Sequence, residues 1–148
     1  DSSTSRGLGD VYKRQVEDRE VMLNQRGVSK VFKMAASAEL KVVSIGTTEP
    51  SASLVSSGMI EMCEIIDVVA KGGVGELLGH FFDATGQQVH TSLTARTISA
   101  GLGQLDGKGI VAIAGGMEKV GAIRSVVMSG YLSGLITDER TAIALLES

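Results

Sequence analysis

Residues 109–138 read GIVAIAGGMEKVGAIRSVVMSGYLSGLITD, and the fold is decided there. Gly109 to Ala114 is a continuous apolar run of strand length, without the polar alternation of a half-solvated strand, so it reads as a strand buried on both faces. After Gly115-Gly116, Met117, Val120, Ile123 and Val127 recur at helical spacing and predict a helix that Gly130 can close. Gly134 to Thr137 is a second short strand, and Asp138 can cap a last helix carrying Ala142, Leu145 and Leu146. Strand, helix, strand, helix with short connections is a βαβ pattern, which implies a parallel sheet, a right-handed crossover and cover on both faces. The expected fold is therefore α/β: part of a doubly wound, Rossmann-like, mostly parallel sheet with helices on both faces.

Upstream of this core, Leu77 to Phe82 is apolar, Asp83-Ala-Thr-Gly86 has an aspartate to start a turn and a glycine for positive φ, and Gln87 to His90 can return. This predicts one β-hairpin. Ile60, Cys63, Ile66 and Val69 or Ala70 form a helical stripe that Lys71-Gly-Gly-Val-Gly75 ends. Glu39 to Gly46 is rich in β-branched residues and stops at glycine, as a buried strand should, and Thr47 to Ser51 suits a turn. Arg19 to Ala38 reads as helix interrupted at Gly27, and Ser92 to Lys108 as a loop or weak helix.

Composition narrows the function. The chain has 148 residues, 43% hydrophobic, with one proline and 19 glycines, which fits one globular domain rich in tight backbone passages. No run approaches the roughly 20 apolar residues of a membrane span, and no apolar leader with a small-residue cleavage site is visible, so a cytoplasmic location with no membrane partner is expected. Cys63 is the single cysteine and His80 and His90 the only histidines, so there is no disulfide and no zinc-type ligand cluster. Cys63 reads as a small core residue. A net charge of −3 without a basic cluster beside aromatics argues that this segment does not itself grip nucleic acid.

Asp1 to Gln15 lacks apolar periodicity and reads as a disordered tail. From Ser5 to Gln15, SRGLGDVYKRQ is what in-frame translation of a widely used transposon sequencing adaptor gives, so residues 1–15 read as a non-native tail. Residues 16–148 are then the domain. Without the tail, which holds three cations and two carboxylates, the net charge is −4 and the conclusion about nucleic acid is unchanged.

In an open parallel sheet, ligands bind outside the carboxyl ends of the strands. Gly46-Thr47, Gly115-Gly116 and Thr137-Asp138 reach that edge. Gly115 and Gly116 let backbone amides approach an anion, and Lys119 in the following turn can add a point charge. A lysine there lies at the wrong end of the helix dipole unless something negative is near; the bland alternatives are a solvated side chain or a neighbour, Glu118, that offsets it. Glu76, in the glycine and apolar stretch Gly72 to Gly79, is either at a rim in water or held to accept hydrogen bonds from a ligand's hydroxyls. His80 and His90 can face each other across the hairpin, and no Ser/His/Asp or Cys/His catalytic set has supporting context.

Residues 71–86 (KGGVGELLGHFFDATG), 110–124 (IVAIAGGMEKVGAIR) and 134–146 (GLITDERTAIALL) together resemble the C-terminal effector-binding domain of SorC-type bacterial transcriptional regulators, sometimes grouped with DeoR. The likeness spans about Glu17 to Ser148. It implies a fold similar to the sugar-phosphate isomerases and glucosamine-6-phosphate deaminases, and a phosphorylated sugar as effector. It also implies a helix-turn-helix domain outside this chain as the part that meets DNA, and a homo-oligomer, dimer or tetramer. By position, Glu76 matches the acidic residue that contacts sugar hydroxyls and Lys119 the lysine that contacts phosphate. Gly46 and Thr47 match a strand-end loop beside the same pocket. No cofactor and no metal are implied. Two other readings stand beside the sensor: an isomerase- or deaminase-like enzyme with Glu76 as general base, and a piece that serves only oligomerisation. The stretch 94–108 departs from the family's leucine-containing helix and proline turn.

Overall fold

The computed structural model describes residues 16–50, 52–99, 101–102 and 109–147, so the expectations for residues 1–15 and for the end of the Ser92–Lys108 stretch lie outside the described residues. Helices α1 (Val16–Asn24) and α2 (Arg26–Ser37) break at Gln25, which is extended at φ −68° and ψ 131°, and not at Gly27. Gly27 sits in the exposed first turn of α2, where a glycine is tolerated. Then come β1 (Leu40–Val43), β2 (Gly46–Thr47), α3 (Ser53–Ser56) and α4 (Met62–Ala70). Strands β3 (Gly73–Leu77), β4 (His80–Asp83) and β5 (Gln88–Val89) precede α5 (Ser92–Arg96). The last part is β6 (Gly109–Ile113), a 3₁₀ turn (Met117–Lys119), α6 (Val120–Met128), β7 (Gly134–Ile136) and α7 (Glu139–Leu146).

The α/β reading holds, and the strands divide between two sheets. β1, β6 and β7 form a parallel sheet in that order, with Val43 beside Ala112 and Ala112 beside Leu135. The expected hairpin is the end of a larger antiparallel sheet, β2-β3-β4-β5. Its outer turn is as read: the Asp83 carboxylate accepts from the Thr85 and Gln87 amides at 2.8 and 2.9 Å, and Gly86 takes φ +83°. A second hairpin interrupts the stretch read as one strand. Leu78 and Gly79 both adopt positive φ, +52° and +79°, giving a two-residue turn whose twist matches the flanking strands. Leucine seldom takes that conformation, which is why the sequence does not announce it.

Helix α6 joins the sheets. Its buried residues are Ala122, Ile123, Ser125 and Val126, so of the expected stripe only Ile123 faces the core centre, and Met117 and Val127 are exposed. The reason is a close approach to β3, where small side chains fit better than large ones. A Cβ on Gly75 would lie 2.6 Å from the Ala122 carbonyl oxygen. Ser125, fully buried, donates to the Phe82 and Asp83 carbonyls at 3.0 and 2.8 Å, so its hydroxyl is satisfied. The cluster built there contains Ile45, Leu77, Phe82, Ala112, Ile123 and Val126. On the other side of the antiparallel sheet, α4 packs Ile65 and Val68 with Phe81, Val89 and Leu93. Val68 presses on Gly73, which rotates Cys63, Ile66 and Val69 outward, so Cys63 is exposed and not the core residue expected.

One face of the parallel sheet is bare: Leu40, Val42, Ile113 and Ile136 are each more than half exposed. Residues 16–148 produced alone should therefore lack a cooperative thermal transition as a monomer, checked by circular dichroism with sedimentation to fix the mass. In the longer protein that the family resemblance implies, Gly75→Ala should lower stability by about 2 kcal/mol through overpacking, read as a lower urea midpoint with an unchanged m-value.

Candidate functional site

The chain leaves the parallel sheet after Val43 and enters the antiparallel one at Gly46, so Ser44-Ile45 is the crossing. Gly46 and Thr47, expected as a strand-end loop, form the short strand β2, with Gly46 opposite Glu76 and Thr47 opposite Gly75. Buried Thr48 fixes the exit by donating to the Gly73 carbonyl at 3.0 Å. This pairing, between residues some thirty positions apart, places the Glu76 carboxylate directly over Gly46. A Cβ at Gly46 would lie 2.5 Å from Glu76 Oε2.

Glu76 is half-buried and its Oε1 accepts from the Gly79 amide at 2.5 Å, so the Leu78-Gly79 turn is also the carboxylate's anchor. Burial pushes its pKa above the usual carboxylate range, and the Gly79 N–H offsets that only in part. Lys119 closes the 3₁₀ turn and caps α6, and its ammonium donates to the Ile45 carbonyl at 3.2 Å. The lysine at the helix start thus reaches back over the crossing. There it shares a cavity of about 380 Å³ with Ser44, Ile45, Gly46, Thr47, Glu49, Glu76 and Glu118. A neighbouring cavity of about 400 Å³ shares Ser44, Leu54 and Glu76 with the first and continues past Leu78 and Gly79 to Ile98 and Ser99.

Four expected residues, Gly46, Thr47, Glu76 and Lys119, therefore line one cavity. Gly115 and Gly116 do not. The Gly116 amide donates to Asp138 Oδ2 at 3.1 Å and to Thr141 Oγ1 at 2.9 Å, and Gly115 packs against the Asp138 carboxylate. Asp138 caps α7 as expected, accepting from the Thr141 amide at 2.9 Å. The Thr141 hydroxyl and amide, with the Gly116 amide, bring its pKa down to about 2. The glycine pair thus ties the end of β6, from which the Lys119 turn springs, to the start of α7. His80 lies between Gln88 and Ser99, and exposed His90 is near enough to help lower its pKa, after the larger effect of burial. Sequence reading missed Ser44, Ile45, Glu49, Ile98 and Ser99, which enter through chain crossing and packing and carry no local signature.

In chemical terms the cavity offers carboxylates to accept from hydroxyls and one ammonium for an anionic group. Among the described residues no group of three His, Cys, Asp or Glu side chains could hold a metal ion, and no helix is long and apolar enough to cross a membrane.

The chain belongs to the Sugar-bind family of sugar-binding domains, whose model matches residues 11–147. Among characterised relatives, it is 57% identical over 135 residues to the erythritol catabolism regulatory protein EryD of Brucella abortus, covering 91% of this chain and 43% of that protein. It is 34% identical over 137 residues to the transcriptional regulator LsrR of Klebsiella pneumoniae, covering 88% of this chain and 42% of that one. Among solved structures, a transcriptional regulator from Streptococcus pneumoniae superimposes with a TM-score of 0.79 at 27% identity, over 90% of this chain and 52% of that one. The full-length sorbitol operon regulator SorC of Klebsiella pneumoniae shares the fold at a TM-score of 0.77 and 22% identity, over 89% and 43%. The chain thus spans about two fifths of the length of these curated relatives.

The raised pKa of Glu76 makes a stability prediction. A carboxyl whose folded pKa lies above its ordinary 4.5 adds stability that is present below that value and lost as pH rises through the folded pKa. In the full-length protein without ligand, Glu76→Gln should therefore raise the Tm at neutral pH. The gap to the parent should close as pH falls below 4.5, followed by thermal melts at several pH values.

Proposed function

We propose that this chain is the effector-sensing part of a sugar-responsive transcriptional regulator and that its effector is phosphorylated. The observation that carries the reading is the convergence of the Glu76 carboxylate and the Lys119 ammonium on one cavity where the chain changes sheet. Glu76 takes ligand hydroxyls, Lys119 takes the phosphate, and Gly46 leaves room for the carboxylate. Thr47 lines the wall between them. Gly115 and Gly116 serve the site by anchoring the turn from which Lys119 projects. The relative named for erythritol catabolism supports a four-carbon polyol phosphate as the effector class. The site binds without turnover, in keeping with relatives named as regulators. DNA contact belongs to a helix-turn-helix domain outside this chain, in a cytoplasmic homo-oligomer, and the effector acts by binding one DNA-affinity state better than another.

The test uses the full-length regulator with erythritol 4-phosphate and inorganic phosphate as probes. Both should raise its Tm, and erythritol 4-phosphate should do so at lower concentration. Lys119→Ala should weaken both by about tenfold or more, the loss of a charge-assisted hydrogen bond. Stabilisation that survives this substitution would remove Lys119 from the phosphate end.

A further inference from the structure

The second cavity extends the site beyond Glu76 and is lined by Ser99, which brings a hydroxyl to this region. That hydroxyl is held from behind. Ser99 Oγ lies 3.1 Å from His80 Nε2, and His80 Nδ1 lies 2.7 Å from Gln88 Nε2. A side-chain amide nitrogen only donates, so Nδ1 accepts and the proton of a neutral imidazole sits on Nε2, directed at Ser99. Burial, then the nearby charges of His90 and Arg19, lower the His80 pKa from 6.5, which favours the neutral ring at pH 7. Ser99 therefore accepts from His80, and its own proton is left to donate.

The segment bearing Ser99 is fixed independently. The Thr97 carbonyl accepts from Arg19 Nε at 3.1 Å, and the Thr97 hydroxyl donates to the Leu93 carbonyl at 2.8 Å. Both Thr97 and Ser99 lean on Gly79, where a Cβ would come within 2.8 Å of Thr97 Cγ2 and 3.6 Å of Ser99 Cβ. The Gly79 amide holds Glu76. One turn thus sets an acceptor, Glu76, and a donor, Ser99, on the wall of the same cavity. A ligand hydroxyl can satisfy both at once, because it donates and accepts; a carbonyl oxygen or a methylene cannot.

We propose that Ser99 is a specificity-determining contact for a hydroxyl of a polyol phosphate, and that His80, held by Gln88, is the positioning residue that aims it. The proposal rests on the effector reading above and adds the end of the site remote from Lys119.

The experiment measures binding of erythritol 4-phosphate and inorganic phosphate to the full-length regulator by calorimetry. Ser99→Ala should weaken erythritol 4-phosphate by about tenfold and leave inorganic phosphate unchanged, as the loss of one hydrogen bond requires. Ser99→Thr, which keeps the hydroxyl, should restore binding. His80→Phe should repeat the Ser99→Ala pattern, and the double variant should be no weaker than Ser99→Ala alone, since both remove one interaction. A general structural role for His80 would instead weaken both ligands or add to the Ser99 loss, and would overturn the positioning assignment. Equal affinity of Ser99→Ala and the parent for erythritol 4-phosphate, with Lys119→Ala impaired for both ligands, would overturn this inference alone. A parent that binds neither probe would overturn the effector reading and this inference together.

Discussion

The approach of helix α6 to strand β3 is the contact on which the rest of the molecule depends. At Gly75 the strand comes so near the helix that a single added carbon would meet the Ala122 carbonyl, and Ser125 completes the seam by bonding to the end of β4. The two groups that define the cavity stand one step from this seam. Glu76 follows Gly75 along the strand, and Lys119 precedes the first turn of the helix that contains Ala122. Their separation is thus set by backbone against backbone, in a region whose side chains are small and fully buried, and not by flexible loops. A larger residue at this contact would therefore act on both at once, costing stability and moving the ammonium relative to the carboxylate.

The crossing from one sheet to the other follows from the same geometry. In open parallel sheets the crevice beyond the strand ends is where ligands lodge. Here β1 ends at Val43 and the chain then turns into the antiparallel sheet, so the crevice acquires a second wall made of β2 and β3. Core residue Ile45 anchors the crossing, and its carbonyl accepts from Lys119. Of the two glycines after β6, Gly116 has its amide bonded within the protein, to Asp138 and Thr141. On the reading proposed above, anion recognition in this half of the domain falls to the lysine, and the backbone around it supplies position.

How much of this the sequence shows depends on how local each feature is. The strand–helix–strand–helix order of residues 109–146, the Asp83–Gly86 turn and the Asp138 cap rest on neighbours within a few positions, and all appear as read. The buried faces of α4 and α6 do not, because they are selected by glycines in a distant strand: Val68 seats on Gly73 and Ala122 on Gly75. The Leu78-Gly79 turn was hidden by a leucine in a conformation that leucine disfavours. Glu76 and Lys119 could be singled out as a carboxylate and a cation in unusual surroundings. That they share a cavity, and that Ser99 lines the neighbouring one with Glu76, follows only from strand pairing and chain crossing.

The charge inventory of the cavity constrains what can occupy it. One ammonium faces Glu49, Glu76 and Glu118, so the attraction of Lys119 for a bare anion is weakened by the carboxylates around it. A ligand with hydroxyls changes the balance. Glu76 has given up water and, among the described residues, gained a single amide hydrogen bond, so acceptor capacity is left over. Each hydroxyl that donates to it restores part of the solvation lost to burial, and restores it only in the bound state. The penalty of burying the carboxylate is therefore present without ligand and relieved with it, which is the differential interaction that any effector-driven shift between conformations requires.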